Sequence, residues 1–147
     1  MAITKINGGV TAPKGFLASG LNAGIKNQTK KDMAMVFSST PCAAAGVFTT
    51  NLVKAAPVKW DKEIVTTSPY VQAVVVNSGI ANACTGEEGM GYCAQTAKAA
   101  AEVLRVAENG VLVASTGVIG MQLPIDKIAA GVKTMAPLLG DSLEKGT

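Results

Sequence analysis

Two apolar runs and the amphipathic stretch between them set the frame of this chain. Val71-Gln72-Ala73-Val74-Val75-Val76 and Val111-Leu112-Val113-Ala114 have the length and β-branched content of buried strands. Between them, from Glu88 or Gly89 to Val106, the positions Cys93, Ala97, Ala100 and Leu104 recur at helical spacing, and Val103 and Ala107 widen the stripe. Asn109-Gly110 reads as the helix stop. Strand, helix and strand in that order predict a βαβ-like unit over Val71–Val76, Glu88–Val106 and Val111–Ala114. Such a unit sends the loops after both strands to one end of a sheet, the end where α/β proteins bind ligands.

Both of those loops are crowded with small polar residues. The first is Asn77-Ser78-Gly79-Ile80-Ala81-Asn82-Ala83-Cys84-Thr85-Gly86, the second a Ser115-Thr116-Gly117 turn. A buried strand that ends in Ser-Thr-Gly presents hydroxyls and backbone N–H groups able to hold developing negative charge. The same residues are also ordinary turn formers. Asn77, Asn82 and Thr85 suit either the wall of a small-molecule site or a connection that satisfies its own polar groups.

The remaining pattern is simpler. Met1–Gly24 reads as a short strand, a turn punctuated by Pro13 and Gly15, and a segment around Phe16–Ile25. Gly8-Gly9 lacks the spacing of a phosphate loop. Asp32–Ser38 and Ala43–Thr50 predict two strands, paired antiparallel around Pro41. Pro57 opens a helix over Val58–Ile64, with Trp60 against the sheet. Pro124 begins a last helix to about Leu139, with Asp126 at its positive end and Ile125, Ile128, Ala129, Val132, Ala136 and Leu139 as its apolar face. Gly140 stops it, and the polar tail Asp141–Thr147 follows. No repeat or linker divides residues 1–147, which predicts one domain of α/β class.

Composition narrows the chemistry. Hydrophobic residues make up 48% of the 147, but only one Trp, two Tyr and three Phe are among them, so the core is built from Ala, Val, Ile, Leu and Met. The net charge of +3 comes without a dense basic run, which argues against nucleic acid. Lys26, Lys30 and Lys31 fall in a polar, solvated loop. Cys42, Cys84 and Cys93 lack CxxC spacing, and their small neighbours predict buried thiols in a reducing compartment. No run has the length of a membrane span and none reads as a signal peptide, so the expected setting is cytoplasmic. The chain has no histidine. A Ser-His-Asp or Cys-His device is therefore not available within it, and the commonest zinc ligand is missing.

Three segments are spread in order along most of the chain: Thr11-Ala12-Pro13-Lys14-Gly15-Phe16, Asn77 to Gly86, and Ser115-Thr116-Gly117-Val118-Ile119-Gly120. Together they resemble the hallmarks of the ornithine acetyltransferase family, the bifunctional glutamate N-acetyltransferases of arginine biosynthesis. Ile80 departs from the pattern, since many members carry Asn there, so no side-chain role is carried over to it. The resemblance implies an N-terminal-nucleophile-like fold of layered sheets covered by helices, with this chain as its N-terminal half. It implies a precursor that cuts itself into α and β chains, assembled as an α2β2 heterotetramer. The new N-terminal threonine of the β chain attacks the acetyl group of N-acetylornithine, forms an acyl-threonine and passes the acetyl group to glutamate. Acetyl-CoA is a further donor in some members, and no other cofactor is implied.

On that resemblance this chain corresponds to the α part, ending before the stretch in which the family cleaves. An N-terminal threonine brings its own α-amine, with an ordinary pKa near ~8, and needs no imidazole. The α part would supply the oxyanion hole, through the Thr116 hydroxyl and the Gly117 N–H. Lys14 is a candidate for a substrate carboxylate or an exposed turn residue. Two other readings stand beside this one: a non-catalytic domain binding small amino-acid ligands, and a cysteine enzyme using Cys84. An α chain separated from its partner is expected to expose a large apolar surface and to be poorly soluble or inactive.

Overall fold

In the computed structural model, which describes residues 3–27, 29–68 and 70–146, four strands form one sheet in chain order. They are β1 Phe16–Leu21, β2 Met33–Cys42, β3 Val71–Ile80 and β4 Val111–Val118. β1, β2 and β3 pair antiparallel, whereas β3 and β4 run parallel. The parallel crossover is made by helix α2, Glu88–Leu104. Helix α1, Ala56–Thr67, precedes β3, helix α3, Ile125–Met135, follows β4, and a short α4 spans Leu143–Gly146. The fold is the α/β class that the pattern predicts, with the βαβ unit in its centre.

Strand alternation explains the layering. Met35, Val75 and Val113 sit in register on neighbouring strands and point to one face, where all three are buried. Ala97 and Ala100 of α2 and Ile128, Val132 and Met135 of α3 close over that face. Alanine, with its small side chain, lets α2 lie near the sheet. Helix α1 lies along the outer strand. The Trp60 indole N–H donates to the Val111 carbonyl at 3.1 Å, and the Val113 N–H donates to Asp61 Oδ1 at 2.9 Å. Backbone groups on an outer strand would otherwise be unpaired. On the opposite face Ala34, Val36, Val74, Val76, Leu112 and Ala114 are only half-buried and lie outside the core.

The structure departs from the sequence reading in several places. Among the described residues no strand precedes the Pro13–Gly15 turn, residues 1 and 2 lying outside them; the strand follows the turn, at Phe16. Ala43–Thr50 is not a strand. β2 already has β1 and β3 on its two edges, so this segment cannot pair with it, and Val47 is fully exposed. Pro41 belongs to β2, inside the irregularity between Phe37 and Cys42. β3 and β4 both run past their apolar stretches, through Asn77–Ile80 and Ser115–Val118. The Ser-Thr-Gly segment is thus strand rather than turn.

Helix α2 ends at Leu104 because Arg105 takes a left-handed conformation, and Glu108-Asn109-Gly110 form a separate 3-10 turn. The last long helix stops at Met135 and is followed by a 3-10 turn, Ala136–Leu138. The polar tail, described as far as Gly146, does not trail away. The Val10 N–H donates to the Gly146 carbonyl at 2.9 Å, and Gly140 bridges to Ala18 on β1. Of the thiols only Cys93 is buried; Cys42 is half-buried and Cys84 exposed.

Candidate functional site

The parallel register places Asn77 beside Ser115, Ser78 beside Thr116 and Gly79 beside Gly117. The two loop motifs are therefore one structural feature, at the carboxyl ends of the two parallel strands. Polar residues persist in these strands because they satisfy one another. The Ser115 hydroxyl donates to Asn77 Oδ1 at 2.6 Å, and Asn77 Nδ2 donates to the Ile80 carbonyl at 2.8 Å. Asn77 is 4% exposed, so this pairing meets the need of a buried amide.

The ladder continues because glycine stands on both sides of it. Gly79 and Gly117 have φ of +116° and +131°, which favours glycine. A Cβ on Gly117 would collide with the carbonyl group of Gly79 and lie 2.7 Å from the Ile80 nitrogen. Beyond the strands the Ala81 N–H donates to the Val118 carbonyl and the Gly120 N–H to the Ala83 carbonyl, both at 2.9 Å.

A cavity of about 620 Å³ opens here, lined by Ile25, Lys26, Ser78, Gly79, Thr116 and Gly117, with Val118 and Met121 at its side. Thr116 and Gly117 are exposed to it. Val111 and Val113 direct their carbonyl and N–H groups toward α1. Both residues thus point those groups away from β3, as the alternation of a strand requires. Val118, Ile119 and Met121 expose half or more of their surface on the same rim.

The far wall of this cavity was not legible as a site in the sequence. Asp32, 3% exposed, accepts the Ala23 N–H at 2.6 Å, the Ile25 N–H at 2.6 Å and the Lys26 N–H at 3.0 Å. Burial alone would raise its pKa, but the N–H groups of Lys26, Ala23 and Ile25 outweigh it and hold the carboxyl below its ordinary value. An acid between a polar loop and an apolar strand was the available signal. Its partners lie six to nine positions upstream, outside any local pattern.

Other predicted site residues lie elsewhere. Asn82 is buried and donates to the Gly89 carbonyl at 2.8 Å and to Cys93 Sγ at 3.3 Å, while the Thr85 hydroxyl donates to Asn82 Oδ1 at 2.7 Å. These bonds fix the entry to α2 and do not line the Thr116 cavity. Cys84 faces a different cavity, with Lys54, Lys59 and Met90. Lys14 is exposed in its turn. Asp61, half-buried over β4, is pushed up to about 6 by burial, which the Val113 N–H only partly offsets. Burial and the nearby Asp61 push the Cys93 thiol up to about 12. Among the described residues no cluster of acids and cysteines could hold a metal ion, and no helix is long and apolar enough to cross a membrane.

Comparison with known proteins gives one consistent answer. The sequence matches the ArgJ family over residues 17–146. It is 54% identical over 134 residues to the arginine biosynthesis bifunctional protein ArgJ of Symbiobacterium thermophilum, a match covering 90% of this chain and 33% of that protein. The protein of the same name from Thermotoga neapolitana is 50% identical over 122 residues, covering 82% and 30%. The chain thus spans about a third of the length of the curated relatives it matches. Among solved structures, ArgJ of Bacillus halodurans aligns with a TM-score of 0.89 at 39% identity, over 95% of this chain and 71% of that one. Ornithine acetyltransferase complexed with ornithine, from Mycobacterium tuberculosis, aligns with a TM-score of 0.90 at 47% identity, over 95% and 75%.

Proposed function

Because the chain belongs to the ArgJ family, we propose that it forms the oxyanion-binding part of an arginine-biosynthesis acetyltransferase whose nucleophile lies on a companion chain. The observation that carries this reading is the placing of Thr116 and Gly117 side by side on one exposed rim, at the end of β4 beside Ser78 and Gly79 of β3, with a cavity in front of them. In this reading residues 1–147 act as a single domain in the cytoplasm, as the α part of an α2β2 assembly. The donor is N-acetylornithine, the acceptor is glutamate, and acetyl-CoA is a second donor to be tried.

The chemistry follows from the residues. The companion's N-terminal threonine loses its hydroxyl proton to its own α-amine and attacks the acetyl carbonyl. The carbonyl oxygen becomes an oxyanion, held by the Thr116 hydroxyl and the Gly117 N–H. Collapse breaks the C–N bond, the protonated α-amine returns its proton to the leaving amine, and ornithine departs from an acyl-threonine. The amine of glutamate then attacks that ester, giving up a proton to the threonine's α-amine, and the same two donors meet the second oxyanion; its collapse breaks the ester C–O bond, returns the proton to the threonine oxygen and releases N-acetylglutamate. Both donors act where charge develops, so they accelerate the chemical steps rather than tighten binding.

Two further observations support a companion chain. Leu112, Ala114 and Thr116 alternate onto the half-buried face of the sheet, so a partner that covered this apolar face would also reach the Thr116 hydroxyl. In addition, the segment matched here fills a third of a whole relative but about three quarters of a solved chain. The solved chains are thus well under the full length of the curated proteins, in keeping with a divided precursor.

The test is acetyl exchange by the complete two-chain protein, with N-acetylornithine and acetyl-CoA supplied separately and the acyl-enzyme trapped by mass spectrometry. The proposal expects acetyl on an N-terminal threonine of the companion. Binding of N-acetylornithine without transfer would favour a purely ligand-binding domain. Acetyl on a cysteine would overturn the threonine mechanism.

A further inference from the structure

We propose that Asp32 is a positioning residue of this site, acting through the Ala23–Lys26 loop; the inference rests on the oxyanion reading of Thr116 and Gly117. Asp32 does not line the Thr116 cavity. Its two carboxylate oxygens take three backbone N–H groups of the loop, and its own carbonyl accepts the Ser78 N–H at 2.8 Å. One residue thereby ties the loop to β3 at the position directly opposite Thr116.

The contact then passes on through backbone atoms. A Cβ on Gly79 would lie 3.1 Å from the Lys26 Cα and 3.2 Å from its nitrogen, so the held loop lies over Gly79 with no room for a side chain between them. Gly79 in turn is in backbone contact with Gly117. The Asp32 carboxylate, the loop it holds, Gly79 and Gly117 thus follow one another as adjacent segments, packed too closely at both glycines for a side chain. A second tie holds the same loop from outside, where Lys127 Nζ donates to the Gly24 carbonyl at 2.9 Å.

A carboxylate suits this task because it only accepts. Three N–H groups converge on two oxygens, and the charge strengthens each bond. An amide in its place turns a donor toward at least one N–H. The loop then moves off Gly79, and the oxyanion donors lose their fixed placement. Misplacement of that kind falls on the transition state, since the oxyanion exists only there.

The experiment uses the complete two-chain protein and three variants: Asp32→Asn, Asp32→Glu and Lys127→Met. Amide hydrogen exchange is read together with kcat and KM for acetyl transfer. Asp32→Asn is expected to speed exchange at Ala23, Ile25 and Lys26 and to lower kcat roughly tenfold to a hundredfold, with KM changed much less. Asp32→Glu restores part of kcat. Lys127→Met, which leaves the buried carboxylate intact, gives a smaller fall in kcat and decides the matter if Asp32→Asn does not fold. Faster exchange in the loop with kcat unchanged overturns the positioning role. Unchanged exchange in a folded Asp32→Asn variant overturns the clamp itself. If Thr116→Val leaves turnover intact, the oxyanion reading fails first, and the exchange data still report on the clamp.

Discussion

Gly117 and Gly79 meet backbone to backbone across the parallel β3–β4 ladder, with no room between them for a Cβ on Gly117. The obstacle is main chain, which does not swing aside as a side chain would. Gly117→Ala also strains a φ of +131°. We expect this variant to lose about 2–4 kcal/mol of stability and most of its turnover. Gly120→Ala is the comparison: its φ is +78° but no atom lies within 4 Å of the added carbon. It should lose only about 1 kcal/mol. Denaturant midpoints of the two variants of the full protein measure the difference. Equal losses would show that crowding at Gly79 is not the cause.

Thr116 separates fold from chemistry. Its side chain is exposed and takes no part in the Asn77–Ser115 pairing beside it. Thr116→Val keeps the shape and removes only the hydroxyl. Stability should change by no more than about 0.5 kcal/mol, while kcat falls about a hundred- to thousandfold with KM nearly constant. Steady-state acetyl transfer by the complete protein reads both quantities. Retained kcat in a folded variant would remove Thr116 from the mechanism.

How much of this was legible beforehand follows from the range over which each signal acts. The βαβ unit could be read because Val71–Val76, the Cys93–Leu104 stripe and Val111–Ala114 each carry a local period. The ends of the strands could not. Whether Asn77–Ile80 and Ser115–Val118 continue as ladder depends on two glycines facing each other, and that facing is set by register. Ala43–Thr50 has strand-like composition, but β2, its predicted partner, already has a strand on each edge, a fact of topology. Thr116 and Gly117 were singled out by residue type and resemblance, whereas the Asp32 clamp and the Lys26 wall depend on contacts between separate segments.

Asp61 and Asp32 should make stability respond to pH in opposite senses. The Asp61 carboxyl stands at about 6 in the fold against an ordinary 3.8. Between roughly pH 4 and 6 the folded chain binds the extra proton, so Asp61 makes stability fall as pH rises through that window. The effect is on the order of 2 kcal/mol by pH 7 for a half-buried group. Asp32 sits below its ordinary value, so its contribution is complete above about pH 4 and is lost as pH falls further. Asp61→Asn keeps an oxygen for the Val113 N–H and carries no charge. It should be more stable than the parent above pH 6 and lack the slope between pH 4 and 6. Denaturant unfolding of the full protein across pH 3–8 tests this; an unaltered slope would assign the titration to another group.

The three thiols provide a check on the identity of the nucleophile. Cys84 is exposed, Cys42 half-buried and Cys93 buried. The thiolate is the reactive form. Burial and the neighbouring Asp61 push Cys93 up to about 12, so at neutral pH it presents almost no thiolate and no accessible surface. Iodoacetamide should therefore modify Cys84 first, Cys42 more slowly and Cys93 only after unfolding, an order that peptide mass spectrometry can follow. Cys84 opens onto the cavity of Lys54 and Lys59 rather than that of Thr116. Alkylation at Cys84, and separately Cys84→Ser, should then leave acetyl transfer within about twofold of the parent. A proportional loss of transfer with Cys84 labelling would move the acyl group onto sulfur and leave Thr116 and Gly117 without their oxyanion.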